Sequence, residues 1–547
     1  MNVVFCVLFS LITCTWCELL TLRSGTINGT VGKSKNGRSF HQFYSIPYAE
    51  PPVGELRFKA PIAAKSWSEI RDGSKLPPRC IQPPSFITPR GSGEMKEDCL
   101  YLNVFVPSDL FKPSGKAAVM VWIHGGSYQI GVSSDYNPEY FMDKNVIFVT
   151  VNYRLGVLGF LGLNDDVISG NFGLKDQALA LQWIRENIAV FGGDPDKVTL
   201  MGESAGSASV HLHMFSPLSK GLFQKVILQS GSAFSDWAVS DSGFGESLSI
   251  TFLVVSGCWR NDSVRILKCL QHLPVDDFLT LRSKSVPRYA TEYGVLFKPI
   301  IESNVKNQSF LPRKIDKSTY QSNVPWITGI NSGEGAMALM SLVKKGGLLE
   351  NVTKVETKSL APFLGRYLFS LAPENIEYAA QKIINFYFSS QDAETNKALK
   401  FVDIFTDYAF FYPFVKAVQS NGEQQYVYYY DHRGSFSWQD YVKLDIDLGV
   451  AHADEIPILF RRKNLEEKWT PGDCVVSETL IKFWTEFSRT GDPNGESEEK
   501  VWKPTSSEGV IEYLHIKSNS TIMEKNLLKE RYDFWESLKA ELNERIK

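Results

Sequence analysis

Gly202-Glu203-Ser204-Ala205-Gly206 sets a serine among small residues in the pattern Gly-x-Ser-x-Gly. Such a serine sits on a tight strand-to-helix turn, with its hydroxyl raised to where it can attack an electrophilic carbonyl. Chance produces the three fixed positions in roughly one chain in five of this length, so the flanks decide. Residues 197–201 (KVTLM) are strand-like, and AGSASVHLHMF from Ala205 onward can start a helix. That is the local structure the turn requires.

A hydroxyl is a poor nucleophile until a base takes its proton, and the base needs a carboxylate to fix its tautomer. Eight histidines compete. His211 and His213 lie on the helix after Ser204, too near along the chain to fold back over it. His124 belongs to a Gly-rich loop of its own, and His41, His272, His432 and His515 lack a loop-like setting. His452, in Leu448-Gly449-Val450-Ala451-His452-Ala453-Asp454-Glu455, has one. For the acid, Glu334 stands between Gly333 and Gly335 just beyond a strand-like run, where absent side chains would let an imidazole approach. Asp454 is the rival, but only two residues from His452 it suits a supporting role. The order Ser204, Glu334, His452 is the serine, acid, histidine order of α/β-hydrolases. Upstream, Trp122-Ile123-His124-Gly125-Gly126-Ser127 ends a strand in glycines whose N–H groups can face a developing oxyanion.

These residues need a rigid frame. Short β-branched or aromatic runs at 118–123, 146–152, 198–201, 226–229, 324–329 and 426–430 alternate with helical periodicity, notably at 173–189. That alternation predicts an α/β fold around a largely parallel sheet. Residues 335–420 and 527–543 read as mainly helical. With no repeat, low-complexity tract or Pro/Ser-rich linker, one catalytic domain over 18–547 is expected.

Composition narrows the partners. A net charge of -3 without long like-charge runs offers no footprint for a phosphate backbone, which argues against nucleic acid. Residues 1–17 (MNVVFCVLFSLITCTWC) carry no charged side chain and end against Glu18. They read as a secretory signal, with a buried N-terminal strand as the alternative. No later apolar run is long enough to span a membrane, and the charged terminus ELNERIK is not the apolar tail that a lipid anchor requires. A soluble, secreted, extracellular product is expected. Three of the eight cysteines fall in the signal, which leaves Cys80, Cys99, Cys258, Cys269 and Cys474 for two bridges and one leftover. Many pairings are open. Cys80 with Cys99, or Cys258 with Cys269, would close short loops, and Cys474 would be a buried free thiol or an intermolecular link. Asn28, Asn261, Asn307, Asn351 and Asn519 each begin an Asn-x-Ser/Thr sequon, expected at the surface as glycosylation sites.

Further stretches make the chain's likeness specific: SIPYAEPPVGELRF (45–58), EDCLYLNV (97–104), NYRLGVLGFL (152–161), FGGDPDKVTLMGESAGSASVHLHMFSPLSKGLF and ILQSGSAF. Together they resemble the type-B carboxylesterase and cholinesterase family over nearly the whole mature chain, and the secreted arthropod carboxylesterases most of all. The resemblance implies an α/β-hydrolase fold and a carboxylic ester hydrolase with no metal or organic cofactor. It implies Ser204, Glu334 and His452 as catalytic triad and the backbone N–H groups of Gly126, Ser127 and Ala205 as oxyanion hole. It also implies bridges Cys80–Cys99 and Cys258–Cys269, ion pairs Arg57–Glu97 and Arg154–Asp176, and Ser230 as a neighbour of the triad.

Departures refine the expectation. Many members have glycine where this chain has Ser127, which bears on acyl-group tolerance rather than on catalysis. Cholinesterases hold the quaternary ammonium on a tryptophan between the first two bridged cysteines. Residues 81–98 contain Phe86 and no Trp, which argues against choline esters. Juvenile hormone esterases commonly have Gln before the serine where this chain has Glu203. The expectation is therefore a general esterase acting on small-molecule esters through an acyl-enzyme. Hormone, odorant or pheromone ester cleavage is the alternative within the class. Lipase action and a non-catalytic adhesion or carrier role stand further off.

Overall fold

The computed structural model describes residues 18–84, 93–111, 116–240, 242–285, 296–343, 373–388, 394–441, 446–506 and 509–546. The expected signal at 1–17, Phe86 and Asn351 lie outside them. In chain order the strands are β1 (Glu18–Leu22), β2 (Gly25–Lys33), β3 (Ser39–Pro47), β4 (Arg71–Asp72), β5 (Arg79–Cys80), β6 (Met95–Lys96), β7 (Tyr101–Pro107) and β8 (Ala117–Ile123). After them come β9 (Val146–Val151), β10 (Gly193–Glu203), β11 (Lys225–Gln229), β12 (Trp326–Asn331), β13 (Gln425–Asp431), β14 (Glu512–Lys517) and β15 (Thr521–Lys525). The main sheet runs β1-β2-β3-β7-β9-β8-β10-β11-β12-β13-β14-β15, with β4 beside β2. From β9 to β14 every pairing is parallel, and antiparallel strands close both ends.

The parallel strands are apolar on both faces because helices cover both. In β8, Val119, Val121 and Ile123 enter one core cluster while Ala118, Met120 and Trp122 enter the other. The period of two continues in β9 and β11. Helices Phe172–Asn187 and Ala205–Phe215 fill the first face, and helix Pro471–Thr490 packs Val476, Leu480, Trp484 and Phe487 on the second.

All six strand-like runs are strands. Two differ in extent by more than one residue at an end. β10 reaches Glu203, so the strand ends immediately before Ser204. β12 starts and ends two residues later than its apolar run, because Pro325 has no N–H for the ladder and contributes only its carbonyl, to Val226 N at 3.2 Å. That slip makes Asn331 the last strand residue. The outer strands β1–β3, β7, β14 and β15 lie outside those six runs, although β3 and β14 bury Phe43, Ile46, Leu514 and Ile516 in the core.

The bridges Cys80–Cys99 and Cys258–Cys269 are both formed. Cys474 is free, but it is half-exposed rather than buried, because it sits in the solvent-facing first turn of helix Pro471–Thr490. Arg57 grips Glu97 through two hydrogen bonds of 2.6 and 2.7 Å. Arg154 grips Asp176 at 2.8 and 2.7 Å, and both partners are buried. Among the described residues no helix is long and apolar enough to cross a membrane.

Removing Asp176 would strand a desolvated guanidinium. Asp176→Ala should cost about 3–5 kcal/mol, read as a lowered urea midpoint, whereas Asp109→Ala, at the solvent-exposed Arg38–Asp109 pair, should cost about 1 kcal/mol or less.

Candidate active site

The parallel strands all point their carboxyl ends to one edge of the sheet, where open α/β sheets bind ligands. Ser204 follows β10 there, with φ 58° and ψ −126°. Its N–H bonds to Gln229 O at 2.9 Å and its carbonyl accepts Ala208 N at 2.9 Å, so the turn is tied to β11 and to the helix it starts. The flanking glycines answer to sterics. A Cβ on Gly202 would stand 2.6 Å from Ile123 O, and one on Gly206 would overlap the same carbonyl.

His452 reaches the serine from the loop after β13. Its Nε2 lies 2.8 Å from Ser204 Oγ, and its Nδ1 lies 2.5 Å from Glu334 Oε2. With the proton on Nδ1, the imidazole donates to Glu334 and accepts from the serine hydroxyl, the tautomer a general base needs. Glu334 is itself held, its Oε1 accepting Asn331 N at 2.7 Å. The two neighbouring glycines serve neighbours other than the imidazole. A Cβ on Gly333 would press on Leu448 O and Val450 O of the histidine loop, and one on Gly335 would overlap Val402 O. Asp454 does not touch His452. It accepts Ala451 N (2.8 Å), Ser437 Oγ (2.6 Å) and Trp438 N (3.0 Å), and so ties down the loop that carries the histidine.

The other seven histidines stand apart. His124 is buried against Tyr153, with ring centroids 4.5 Å apart, and burial lowers its pKa to about 4. His211 bonds Tyr320 and His213 bonds Ser219 and Gln177, and burial takes both pKa values down to about 3. His432 pairs with Asp473, His515 faces Asp431 and Glu524, His41 faces Glu18, and His272 Nδ1 lies 2.6 Å from Lys268 O.

Three groups that the sequence did not place beside His452 surround it. Glu203 Oε1 lies 3.1 Å from His452 Nε2, buried and without a well-directed hydrogen bond. Burial drives its pKa up to about 8, against the pull of the imidazole and with the push of Glu455 and Glu334. Glu455 accepts Asn331 Nδ2 (2.8 Å) and Gln229 Nε2 (3.1 Å), and Trp484 Nε1 holds Gln229 in turn at 3.1 Å. Phe410 packs on the imidazole with centroids 4.7 Å apart. It belongs to a π-helical turn, Asp407–Phe411, that interrupts the helical run from Glu394 to Ser420. Burial opposes charge on His452, but Glu203 and then Glu334 outweigh it and raise its pKa to about 9. A signal existed for Glu203 and Glu455, since each is a carboxylate adjoining an apolar strand or helix. Periodicity gave none for Phe410.

The 125–127 loop lies against Ser204. A Cβ on Gly125 would stand 3.0 Å from Ser204 Cβ. The N–H groups of Gln129 and Ile130 close the turn on Gly126 O at 2.9 and 3.0 Å, and Gly156 N holds Tyr128 O at 2.7 Å. Gly126 has φ 105° and Ser127 φ 56°, so the side chain added at Ser127 sits where glycine is normally preferred. The N–H groups of Gly126, Ser127 and Ala205 find no acceptor among the described residues, and Ala205 opens a helix, where free N–H groups are the rule. Ser230, with φ 54°, bonds Gly329 O through its N–H at 2.9 Å and buries an unpartnered hydroxyl.

This sheet with its helices is the α/β-hydrolase fold. The chain belongs to the carboxylesterase family, whose model matches residues 17–535, and it is a carboxylic ester hydrolase. It is 33% identical over 535 residues to Venom carboxylesterase-6 of Apis mellifera, covering 94% of this chain and 93% of that protein. It is 33% identical over 554 residues to Juvenile hormone esterase of Tribolium castaneum, again over 94% and 93%. Esterase E4 of Myzus persicae is 33% identical over 502 residues, covering 89% and 88%.

Two outcomes follow from the geometry. Because Glu203 raises the pKa of His452, Glu203→Gln should lower it, and the acid limb of the kcat/KM profile for a nitrophenyl ester should move to lower pH. Because Ser127 holds a left-handed φ, Ser127→Gly should stabilise the fold by about 1 kcal/mol, seen as a higher melting temperature, and should improve relative rates on bulkier acyl groups.

Proposed function

We propose that the chain hydrolyses small carboxylic esters through an acyl-enzyme on Ser204. The observation that carries this is the unbroken hydrogen-bond chain Ser204–His452–Glu334 at the carboxyl edge of the sheet. His452 takes the serine proton as Oγ attacks the ester carbonyl, while Glu334 keeps the imidazole oriented. The oxyanion forms against the N–H groups of Gly126, Ser127 and Ala205, a class of interaction worth about 3–4 kcal/mol per donor in the transition state. His452 then protonates the departing alcohol, the Ser204 ester forms, and water repeats the cycle to release the acid. We place this chemistry in a single catalytic domain over 18–547 that is exported behind 1–17 and acts outside the cell. The absence of tryptophan from 81–98 favours general esters over choline esters, and Glu203 in place of Gln favours them over juvenile hormone esters.

Hormone ester cleavage is the second reading, favoured by the 33% identity to the Tribolium castaneum enzyme. Competing short-chain esters against hormone-like esters on purified protein separates the two by kcat/KM.

The catalytic assignment predicts that Ser204→Ala lowers nitrophenyl ester turnover by about 10⁴-fold or more. An organophosphate should label the Ser204 peptide and no other, and pre-steady-state assays should show a burst equal to the enzyme present. Full turnover by the Ser204→Ala variant would overturn the assignment.

A further inference from the structure

The end of helix Ser242–Val255 and the segment after it leave an apolar surface open to solvent. Val254 is 58% exposed, Trp259 43% and Val264 48%, with Ile250 and Val255 also open. Every other described tryptophan is buried or half-buried. Among the described residues the Trp259 ring makes neither an aromatic contact nor an indole hydrogen bond, whereas the indole N–H groups of Trp67, Trp237, Trp326, Trp438, Trp484, Trp502 and Trp535 all find acceptors. A solvated tryptophan amid exposed valines is costly unless something lies on it.

The segment is nevertheless rigid. Cys258 N and Trp259 N both bond to Leu253 O, at 2.8 and 3.0 Å. The Cys258–Cys269 bridge ties the turn to helix Ser263–His272. Asp262 caps that helix by accepting Val264 N at 2.9 Å. Asn261 therefore stands exposed between a disulfide-anchored turn and a helix cap. It opens a sequon, and Trp259 precedes it by two positions, giving Trp259-Arg260-Asn261-Asp262-Ser263. The corresponding residues before the other sequons are Thr26, Val305, Leu349 and Lys517, none aromatic. Asn28 is half-buried inside β2, paired on one side with Leu19 and on the other with Asp72. Asn307 and Asn519 are exposed but have no aromatic platform.

We propose that Asn261 carries an N-linked glycan whose first sugar lies on the Trp259 ring and covers this patch. The axial C–H groups of N-acetylglucosamine form a weakly positive apolar face that suits the negative face of an indole. Stacking thereby removes from water both a sugar face and the ring, and Asn261 becomes the preferred of the five sequons. The inference rests on export, which brings the chain to the glycosylation machinery.

The test bypasses the native signal by expressing 18–547 behind a signal of known function in insect cells. Secretion directed by residues 1–17 is scored in a separate arm, so that failure of the export reading and failure of the glycan are told apart. Glycopeptide mapping should find Asn261 more fully occupied than Asn28, Asn307, Asn351 or Asn519, and Trp259→Ala should lower that occupancy. Oxidation by N-bromosuccinimide, followed at the Trp259 peptide, should run several-fold faster in Asn261→Gln than in the glycosylated protein, with ester turnover unchanged. An unoccupied Asn261, or equal Trp259 oxidation with and without the glycan, overturns the proposal.

Discussion

The hydrogen bonds of 2.8 and 2.5 Å that string Ser204, His452 and Glu334 together join residues 248 and 118 positions apart in the chain. Closing such distances is costly in entropy, and side chains on free loops would lose the alignment in thermal motion. The sheet removes most of that freedom. β10 and β12 lie one strand apart across β11, and their registers are fixed by Glu203↔Gln229 and Gln229↔Gly329. The serine and the acid therefore leave the same edge of a rigid plate. His452 has no strand directly beneath it, and its loop is correspondingly heavily tied. Asp454 gathers three donors around it, Asn331 donates to Ala451 O at 2.9 Å, and Gly333 N bonds Val450 O at 2.8 Å. The member that lies farthest along the chain from a strand end is thus held by side-chain and backbone bonds instead.

The same crowding sets the electrostatics. Glu203, Glu334 and Glu455 all act on one imidazole in a water-poor interior, where charges interact far more strongly than in solvent. Uncompensated, three buried carboxylates would repel one another, and burial does push Glu203 and Glu455 toward the neutral form. Positive charge on His452 relieves that repulsion. In the proposed mechanism an environment that favours imidazolium would stabilise the state reached once the serine proton has moved, and would also make the resting base easier to protonate. On that proposal, acceleration and acid sensitivity would come from one cause.

Much of this was legible before any coordinates. The six parallel-strand runs, the turn at Ser204 and the residues that meet there could be read because each is a local pattern: an apolar run, a pair of glycines, a loop after a strand. The slip of β12 was hidden, since apolar character begins at Val324 while the ladder begins only where a proline no longer interrupts it. Glycine was read correctly at Gly333 and Gly335 for the wrong reason, because small size showed in the sequence while the backbone carbonyls that need the space did not. Phe410 stayed invisible for a stronger reason. It reaches His452 through a π-turn, and that extra-residue bulge breaks the very periodicity by which helices are recognised.

Five of the twelve non-glycine residues with positive φ among the described residues lie in or beside the candidate site. Ser127, Tyr128, Ser204, Ser230 and Ala453 are all non-glycine residues with positive φ, and each belongs to or adjoins a segment that carries a site residue. Such conformations cost of order 1–3 kcal/mol apiece and persist only where surroundings over-determine them. Here the surroundings do: Ser204 N is held by Gln229 O, Ser230 N by Gly329 O, and Tyr128 O by Gly156 N. Ser204, Ser230 and Tyr128 are thus each fixed by a backbone bond to a neighbouring strand or helix start. The side chains that share the reaction need only fall into rotamers on a backbone that cannot relax, and the large buried sheet supplies the stability that a strained site consumes.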